Sequence, residues 1–148
     1  MTRRKARELV LQNLFQFEFT GKVPSKIELA ESLKDKEPSN EIIIFIDDLL
    51  RGTVNNIKRI DEMIAAVSQN WEIERLAVVD RNILRYAAYE LLFRKDIPPA
   101  VTINEAVDIA KKYSTGDSYS FINGVLDKIS SDLQNKTHVD IKITSDYR

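Results

Sequence analysis

The sequence contains no cysteine, and it has only four glycines, four prolines and one histidine among its 148 residues. Without cysteine there are no disulfides, no thiolate nucleophile and no cysteine-based zinc site. The glycines, at positions 21, 52, 116 and 124, are too far apart to form a phosphate-binding loop. The one histidine, His138, lies in a polar tail, which argues against a serine and histidine hydrolase. These absences disfavour nucleotide-dependent and nucleophilic catalysis.

Long apolar runs are missing too. The run IIIFI at 42–46 is far shorter than the ~20 residues that a membrane-spanning helix needs. The charged amino terminus is not followed by an uninterrupted apolar segment with a small-residue cleavage site. We therefore expect no membrane span, no secretory signal and a cytoplasmic location.

Paired carboxylates are the remaining candidates for catalysis. Asp47 and Asp48 are adjacent, as are Asp61 and Glu62, and adjacent residues of a helix point about 100° apart. Such pairs make poor acid and base couples, and solvated helix faces explain them better. We expect no catalytic residues, no metal and no cofactor.

The charge balance directs attention to one local patch. The net charge of −1 provides no general attraction to nucleic acid, so any such binding must come from a cluster. Four cationic side chains occur in the first seven residues with no acid among them: Arg3, Arg4, Lys5 and Arg7.

Apolar residues recur at three- and four-residue intervals almost throughout, which predicts an all-helical domain. The first helix, from about Thr2 to Phe19, is apolar around most of its circumference and is expected to be central. The pattern from Asn40 to Val67 predicts two helices, with a bend near Gly52 or Lys58. The segment from Glu74 to Arg94 predicts a helix that is buried on several sides.

Two further helices complete the predicted domain, which covers residues 1–135. Thr102 and Glu105 have the spacing of a capping box, so a helix is expected from Ile103 to Tyr113. The last helix is expected to begin at Asp117 or Ser118 and to end near Leu133. We expect residues 136–148 to form a loosely ordered tail.

Gly124 interrupts an otherwise ordinary last helix, GDSYSFINGVLDKI at 116–129. Glycine within a helix costs roughly 1 kcal/mol relative to alanine, and Gly124 shares a strip with Ser120. We hypothesise that this narrow strip lets another backbone come close, either that of RNA or that of the first helix.

Two segments of the chain carry a family resemblance: RRKARELVLQNLFQ at 3–16 and the long stretch from LAVVDRNILR to SFINGVLDKI at 76–129. The second combines VDRNILR, YELL, a proline turn, INEA and FINGVLDK in one order. This pattern resembles the NusB family of bacterial transcription antitermination factors. The resemblance implies an all-α fold, a compact bundle of about seven helices in two packed helical subdomains, and no enzymatic activity.

The resemblance also implies a function. A NusB-like protein binds the single-stranded boxA element of nascent RNA together with NusE, a ribosomal small-subunit protein. That complex, with other Nus factors, helps RNA polymerase to resist termination on ribosomal RNA operons. Family members differ in being monomers or homodimers when free, and the sequence leaves this open.

RNA-binding residues can be carried over from the family to two regions. One is the basic amino terminus, and the other is the start of the last helix, where a dipole and free N–H groups favour anions. Phe121 either stacks on a base or belongs to the core. Position 120 is usually lysine in the family. The RNA-binding set is Arg3, Arg4, Lys5, Arg7, Asp117, Ser118, Ser120, Phe121 and Gly124.

The buried fifth helix is the family's region for NusE, and its polar ridge supplies the candidates Asp80, Arg81, Arg85 and Tyr89. Asp80 is favoured because a carboxylate can accept an arginine of a basic partner in bidentate fashion. Pairing within the chain is the alternative interpretation. Two alternative functions are also open: a NusB-like domain of an RNA cytosine methyltransferase, and a helical protein-binding module without RNA binding.

Overall fold

The computed structural model describes residues 1–69 and 72–147, with side chains described up to residue 135. Within these residues there are seven α-helices, two short 3-10 turns at Lys34–Lys36 and Ile73–Arg75, and no strand, which confirms the predicted all-α class. The helices are α1 (Arg3–Thr20), α2 (Lys26–Ser32), α3 (Asn40–Asn55), α4 (Ile57–Val67), α5 (Val78–Phe93), α6 (Pro99–Tyr113) and α7 (Ser118–Tyr147).

Side chains that accept hydrogen bonds from free backbone N–H groups define the starts of the first three helices. The Thr2 hydroxyl accepts from the Lys5 N–H at 3.1 Å. Ser25 and Glu28 form a reciprocal capping box at α2, and Ser39 caps α3. Each cap satisfies backbone donors that the first turn of a helix leaves without partners.

The predicted division of the segment 40–67 into two helices is confirmed, and the break falls at Asn56. The Asn56 side chain donates to the Gly52 carbonyl at 2.7 Å, a local bond that competes with helix continuation. Gly52 itself remains inside α3, where an added Cβ would overlap the ring of Tyr89. Its role is therefore to let α5 approach α3 closely.

The centre of the molecule is α5, which packs against α1, α3, α4, α6 and α7. Helices α1, α2 and α3 lie to one side of it, and α4, α6 and α7 complete the other. The expectation that α1 is central is wrong, because α1 leaves Phe15 and Phe19 exposed. The all-round burial predicted for the fifth helix is confirmed by its run of buried residues.

The ends of α6 and α7 differ from the expected ones. Helix α6 begins at Pro99, before Thr102, because proline is well suited to the first helical position. Thr102 therefore lies inside the helix, and its hydroxyl donates to Glu90 at 3.0 Å. Helix α7 continues to Tyr147, past the expected end near Leu133, while the side chains of the predicted loose tail lie outside the described residues.

In the part of the chain that the structure describes, no helix has both the length and the hydropathy that a bilayer crossing requires.

Candidate nucleic-acid and partner interface

The basic side chains at the start of α1 differ in their availability. Arg3 is exposed, and its guanidinium lies 4.5 Å from the centre of the buried Phe45 ring. Lys5 is exposed and has no ion pair among the described residues. Arg4 is half-buried and bonds to two carboxylates of α6, Glu105 and, at 2.9 Å, Asp108. Arg3 and Lys5 are therefore the cations of this patch that no acid neutralises directly.

Arg7 is buried, which contradicts its prediction as an RNA contact. Its Nε and Nη2 atoms each donate to the Glu90 carboxylate at 2.8 Å, and Arg7 is only 1% exposed. Burial lowers the pKa of the Arg7 guanidinium, but its bonds to Glu90 outweigh burial and hold that pKa above the ordinary value. Arg7 therefore links α1 to α5 inside the core, where phosphate cannot reach it.

The predicted residues at the start of α7 lie together on one turn and a half of helix. The Asp117 carbonyl accepts from Ser120 N–H at 2.9 Å, so Asp117 occupies the capping position through its backbone. Among the described residues its carboxylate makes no hydrogen bond. Asp117, Ser120 and Gly124 are exposed, Ser118 and Phe121 are half-buried, and Phe121 also packs against the core.

The strip of Ser120 and Gly124 faces an opening, not another part of the chain. An added Cβ at Gly124 would meet no atom within 4 Å, so the hypothesis that the first helix approaches this glycine is wrong. Ser120, Phe121 and Gly124 line an opening of about 330 Å³ together with the end of α4 at Gln69. The space beside Gly124 is therefore available to a molecule from outside.

The two predicted RNA-binding regions are connected across the outer face of α6. Arg4 bonds to Asp108, and Asp108 and Lys111 lie three residues apart, which makes them neighbours on a helix. The Lys111 ammonium then lies 5.1 Å from the centre of the Tyr119 ring in the first turn of α7. A continuous path of side chains thus joins the start of α1 to the start of α7.

Acidic groups along this path are partly neutralised. Lys112 donates to Glu8 at 2.9 Å, and the Tyr113 hydroxyl donates to the same carboxylate. Burial raises the pKa of the Glu8 carboxyl, but these hydrogen bonds outweigh burial and lower it overall. The face is therefore a mixture of cations, aromatic rings and paired acids, and it is less basic than the sequence of the amino terminus suggests.

Lys111 and Tyr119 are absent from the predicted site. The helical spacing of α6 places Lys111 among ordinary solvent-facing residues, and the spacing of α7 places Tyr119 on the apolar stripe. Only the packing of α6 against the start of α7 brings the two side chains together. A signal was present in the sequence, since a lysine at a helix end and an aromatic residue just past the next helix start are separated by one short turn.

The polar ridge of α5 is used within the chain, as the alternative interpretation stated. Arg81 donates to Glu18 at 2.7 Å, and Arg85 forms a bidentate pair with Asp61 at 2.8 and 2.9 Å. The Tyr89 hydroxyl donates to Asp48 at 2.7 Å. Burial and this hydrogen bond raise the pKa of Tyr89. These three ridge residues therefore hold α5 to α1, α3 and α4.

Asp80, the fourth candidate, lies at the opposite end of α5. It is 7% exposed, and its carboxylate accepts a hydrogen bond from the Ser114 hydroxyl in the turn after α6. One oxygen of the carboxylate is therefore committed, and the residue lies beside the exposed surface described next.

An apolar surface that the sequence did not predict lies on α1. Phe19 is 73% exposed and Phe15 is 40% exposed, and their ring centres are 5.2 Å apart. Phe15 also lines a groove of about 300 Å³ with Leu11, Val79 and Tyr113. We call Phe15, Phe19 and Val79 the aromatic patch; it adjoins Asp80 through Val79. Exposed aromatic side chains of this kind are typical of protein-binding surfaces.

Within the described residues, no cluster of three or more histidine or acidic side chains could hold a metal ion. The acidic pairs singled out in the sequence also have structural partners, since Asp47 pairs with Arg51 and Asp61 pairs with Arg85.

Comparison with known proteins gives a consistent result. The NusB family model matches residues 4–131. The chain is 48% identical over 136 residues to the transcription antitermination protein NusB of Geobacter sulfurreducens, covering 90% of this chain and 97% of that protein. That relative is named as a transcription factor and not as an enzyme, and the chain spans nearly all of it.

Two solved structures extend the comparison to the fold. A structure of T. maritima NusB superposes with a TM-score of 0.78 at 41% identity, covering 88% of this chain and 92% of that one. A crystal structure of the antitermination factors NusB and NusE in complex with dsRNA superposes with a TM-score of 0.73 at 30% identity, covering 89% of this chain and 99% of that chain.

Proposed function

This chain belongs to the NusB family, and we propose that it is a cytoplasmic antitermination factor that binds boxA RNA together with the ribosomal protein NusE and supports transcription of ribosomal RNA operons. The observation that carries the RNA part of the proposal is the path of side chains from the start of α1, across α6, to the start of α7. The aromatic patch on α1 carries the partner part.

The proposed RNA surface combines three kinds of contact. Exposed cations at Arg3 and Lys5 neutralise phosphates. The first turn of α7 offers N–H groups and the positive end of the helix dipole. The opening beside Gly124, which Phe121 also lines, accommodates a base that has left its stack. This combination favours an unpaired strand, because stacking needs bases that are splayed out.

Salt dependence tests the electrostatic part of this surface. We expect binding of a single-stranded boxA oligonucleotide to weaken as salt rises, and a variant with Arg3→Gln and Lys5→Gln to lose about 1.4 from the logarithmic salt slope, about 0.7 for each phosphate contact. The matched control is Lys34→Gln with Lys36→Gln, which removes two exposed lysines from the turn after α2. Equal slopes for the two double variants would contradict the proposal.

The strandedness of the RNA can be tested in the same measurement. A duplex of equal length is included because the complex cited above contains dsRNA. We expect the single strand to bind more tightly, since only an unpaired base can enter the opening. Tighter binding of the duplex would assign the surface to double-stranded RNA.

Asp117 should oppose RNA binding. Its exposed carboxylate places a negative charge where a phosphate approaches the start of α7. Because the backbone carbonyl of Asp117 makes the capping bonds, Asp117→Asn leaves the helix start intact. We expect this variant to bind the oligonucleotide more tightly, most of all at low salt, and equal or weaker binding would exclude this role.

The partner part of the proposal moves from the ridge of α5 to the aromatic patch with Asp80 beside it. Arg81, Arg85 and Tyr89 already have partners within the chain, whereas Phe19 is 73% exposed. A basic partner such as a ribosomal protein can bury the aromatic rings and place an arginine against the free oxygen of Asp80.

A charged substitution in the patch tests this placement. We expect Phe19→Asp to weaken NusE binding at least tenfold without lowering the melting temperature, because loss of an aromatic interface anchor commonly costs about 2 kcal/mol or more. Ile27→Asp is the matched control, since Ile27 is 82% exposed on α2. Equal loss in both variants, or no loss with Phe19→Asp, would contradict the placement. A protein that binds NusE but no RNA would be a protein-binding module alone.

A further inference from the structure

We infer that Lys111 and Tyr119 form an additional contact for single-stranded RNA, in which Lys111 binds a phosphate and Tyr119 stacks on the neighbouring base. This inference rests on the proposed function. It extends the RNA surface to two residues that lie between the regions predicted from the sequence.

The geometry of the pair is the first reason. The Lys111 ammonium lies 5.1 Å from the centre of the Tyr119 ring, and both side chains are exposed, with Tyr119 at 37%. An exposed cation over an aromatic ring is held only weakly. The lysine can therefore turn to a phosphate at small cost, which leaves the ring face free for a base.

The charge of Lys111 is uncommitted, in contrast to its neighbours on the same face. Arg4 is held by Glu105 and Asp108, and Lys112 is held by Glu8. Lys111 forms no ion pair within the part of the chain that the structure describes. It is consequently the side chain at the end of α6 best able to gain a new anionic partner.

The start of α7 needs a cation from elsewhere. Its first turn, Ser118 to Phe121, contains no basic residue, and Asp117 just before it is acidic. Ser120 is too short to extend a charge toward a phosphate, and the first lysine on α7 with a described side chain is Lys128. Lys111 reaches this turn from α6 and supplies the missing charge.

The pair suits a nucleotide because its two parts match the two parts of that ligand. A phosphate and its base are covalently linked, so a cation and a ring that touch each other can bind both at once. An acidic protein segment would use the lysine but would gain little from the exposed face of the tyrosine. The aromatic component therefore favours a single strand, on which base stacking is a main source of affinity.

The test uses the intact protein and a single-stranded boxA oligonucleotide titrated over a range of salt concentrations. We expect Lys111→Gln to lower the logarithmic salt slope by about 0.7. We expect Tyr119→Leu to weaken binding at least about fivefold with little change in slope, and Tyr119→Phe to restore binding. Lys36→Gln, on the turn after α2, is the control for loss of one exposed lysine.

The outcomes separate this inference from the proposed function. If the intact protein shows no salt-dependent binding, both are overturned. If it binds and the variants at 111 and 119 bind equally well, only this inference is overturned. If those variants retain RNA binding but lose affinity for NusE, the pair belongs to the protein interface, and the inference is likewise overturned.

Discussion

Replacement of Arg7 by methionine separates a structural role from an RNA-binding one. The change removes a guanidinium that donates two hydrogen bonds of 2.8 Å to Glu90. The side chains of the pair are 2% and 0% exposed. After the change, the Glu90 carboxylate would remain buried with only the Thr102 hydroxyl, at 3.0 Å, as a donor.

The expected loss of stability follows from this geometry. Breaking a buried ion pair by removing one partner costs about 3–5 kcal/mol, because an uncompensated charge remains in the core. For a domain of this size each kcal/mol lowers the melting temperature by about 2–4 °C. We therefore expect Arg7→Met to lower the melting temperature by roughly 6–20 °C, a large part of the 5–15 kcal/mol that stabilises a typical domain.

A double variant provides the control. Arg7→Met combined with Glu90→Leu removes both charges and fills the space with apolar atoms, an exchange that is often neutral or stabilising. We expect it to recover most of the lost stability in urea denaturation. A residual deficit of about 1 kcal/mol is expected, because the Thr102 hydroxyl loses its acceptor.

RNA binding by the double variant decides between the two roles. If Arg7 acts only in the core, the folded double variant keeps the salt slope of the unmodified protein. The reasoning is refuted if Arg7→Met lowers the free energy of unfolding by less than about 1 kcal/mol while the salt slope falls by about 0.7, since Arg7 would then contact phosphate.

Two further predictions concern stability. Gly52→Ala should lower the free energy of unfolding by about 1–3 kcal/mol because its Cβ overlaps the ring of Tyr89, whereas Gly124→Ala should raise it by about 0.5–1 kcal/mol; equal shifts in urea denaturation would disprove the difference in packing. Burial raises the pKa of Glu18, but its bond to Arg81 outweighs burial and lowers the pKa below 4.5. The stabilisation from Glu18 is therefore complete above that value and is lost as pH falls through the lowered pKa, so Glu18→Gln should flatten the acid limb of stability measured from neutral pH to about pH 3; an unchanged limb would count against this.

Short-range properties of the chain were predictable because they depend on residues close in sequence. The three- and four-residue spacing of apolar side chains decides helix formation, and the family motifs identify the protein class. The division of the segment 40–67 and the deep burial of the fifth helix could be read in the same way. The start of α6 could not, because a plausible cap at Thr102 competed with a proline at the first helical position.

Tertiary packing decided which side chains are available for binding. The sequence shows four cations at the amino terminus, but only the contact of α1 with α5 and α6 reveals that Arg7 is buried and that Arg4 is held by acids. The same holds for the ridge of α5, whose charges find partners distant in sequence. Helical periodicity predicts the face on which a residue lies, but whether that face meets a neighbouring helix or solvent depends on how the helices pack.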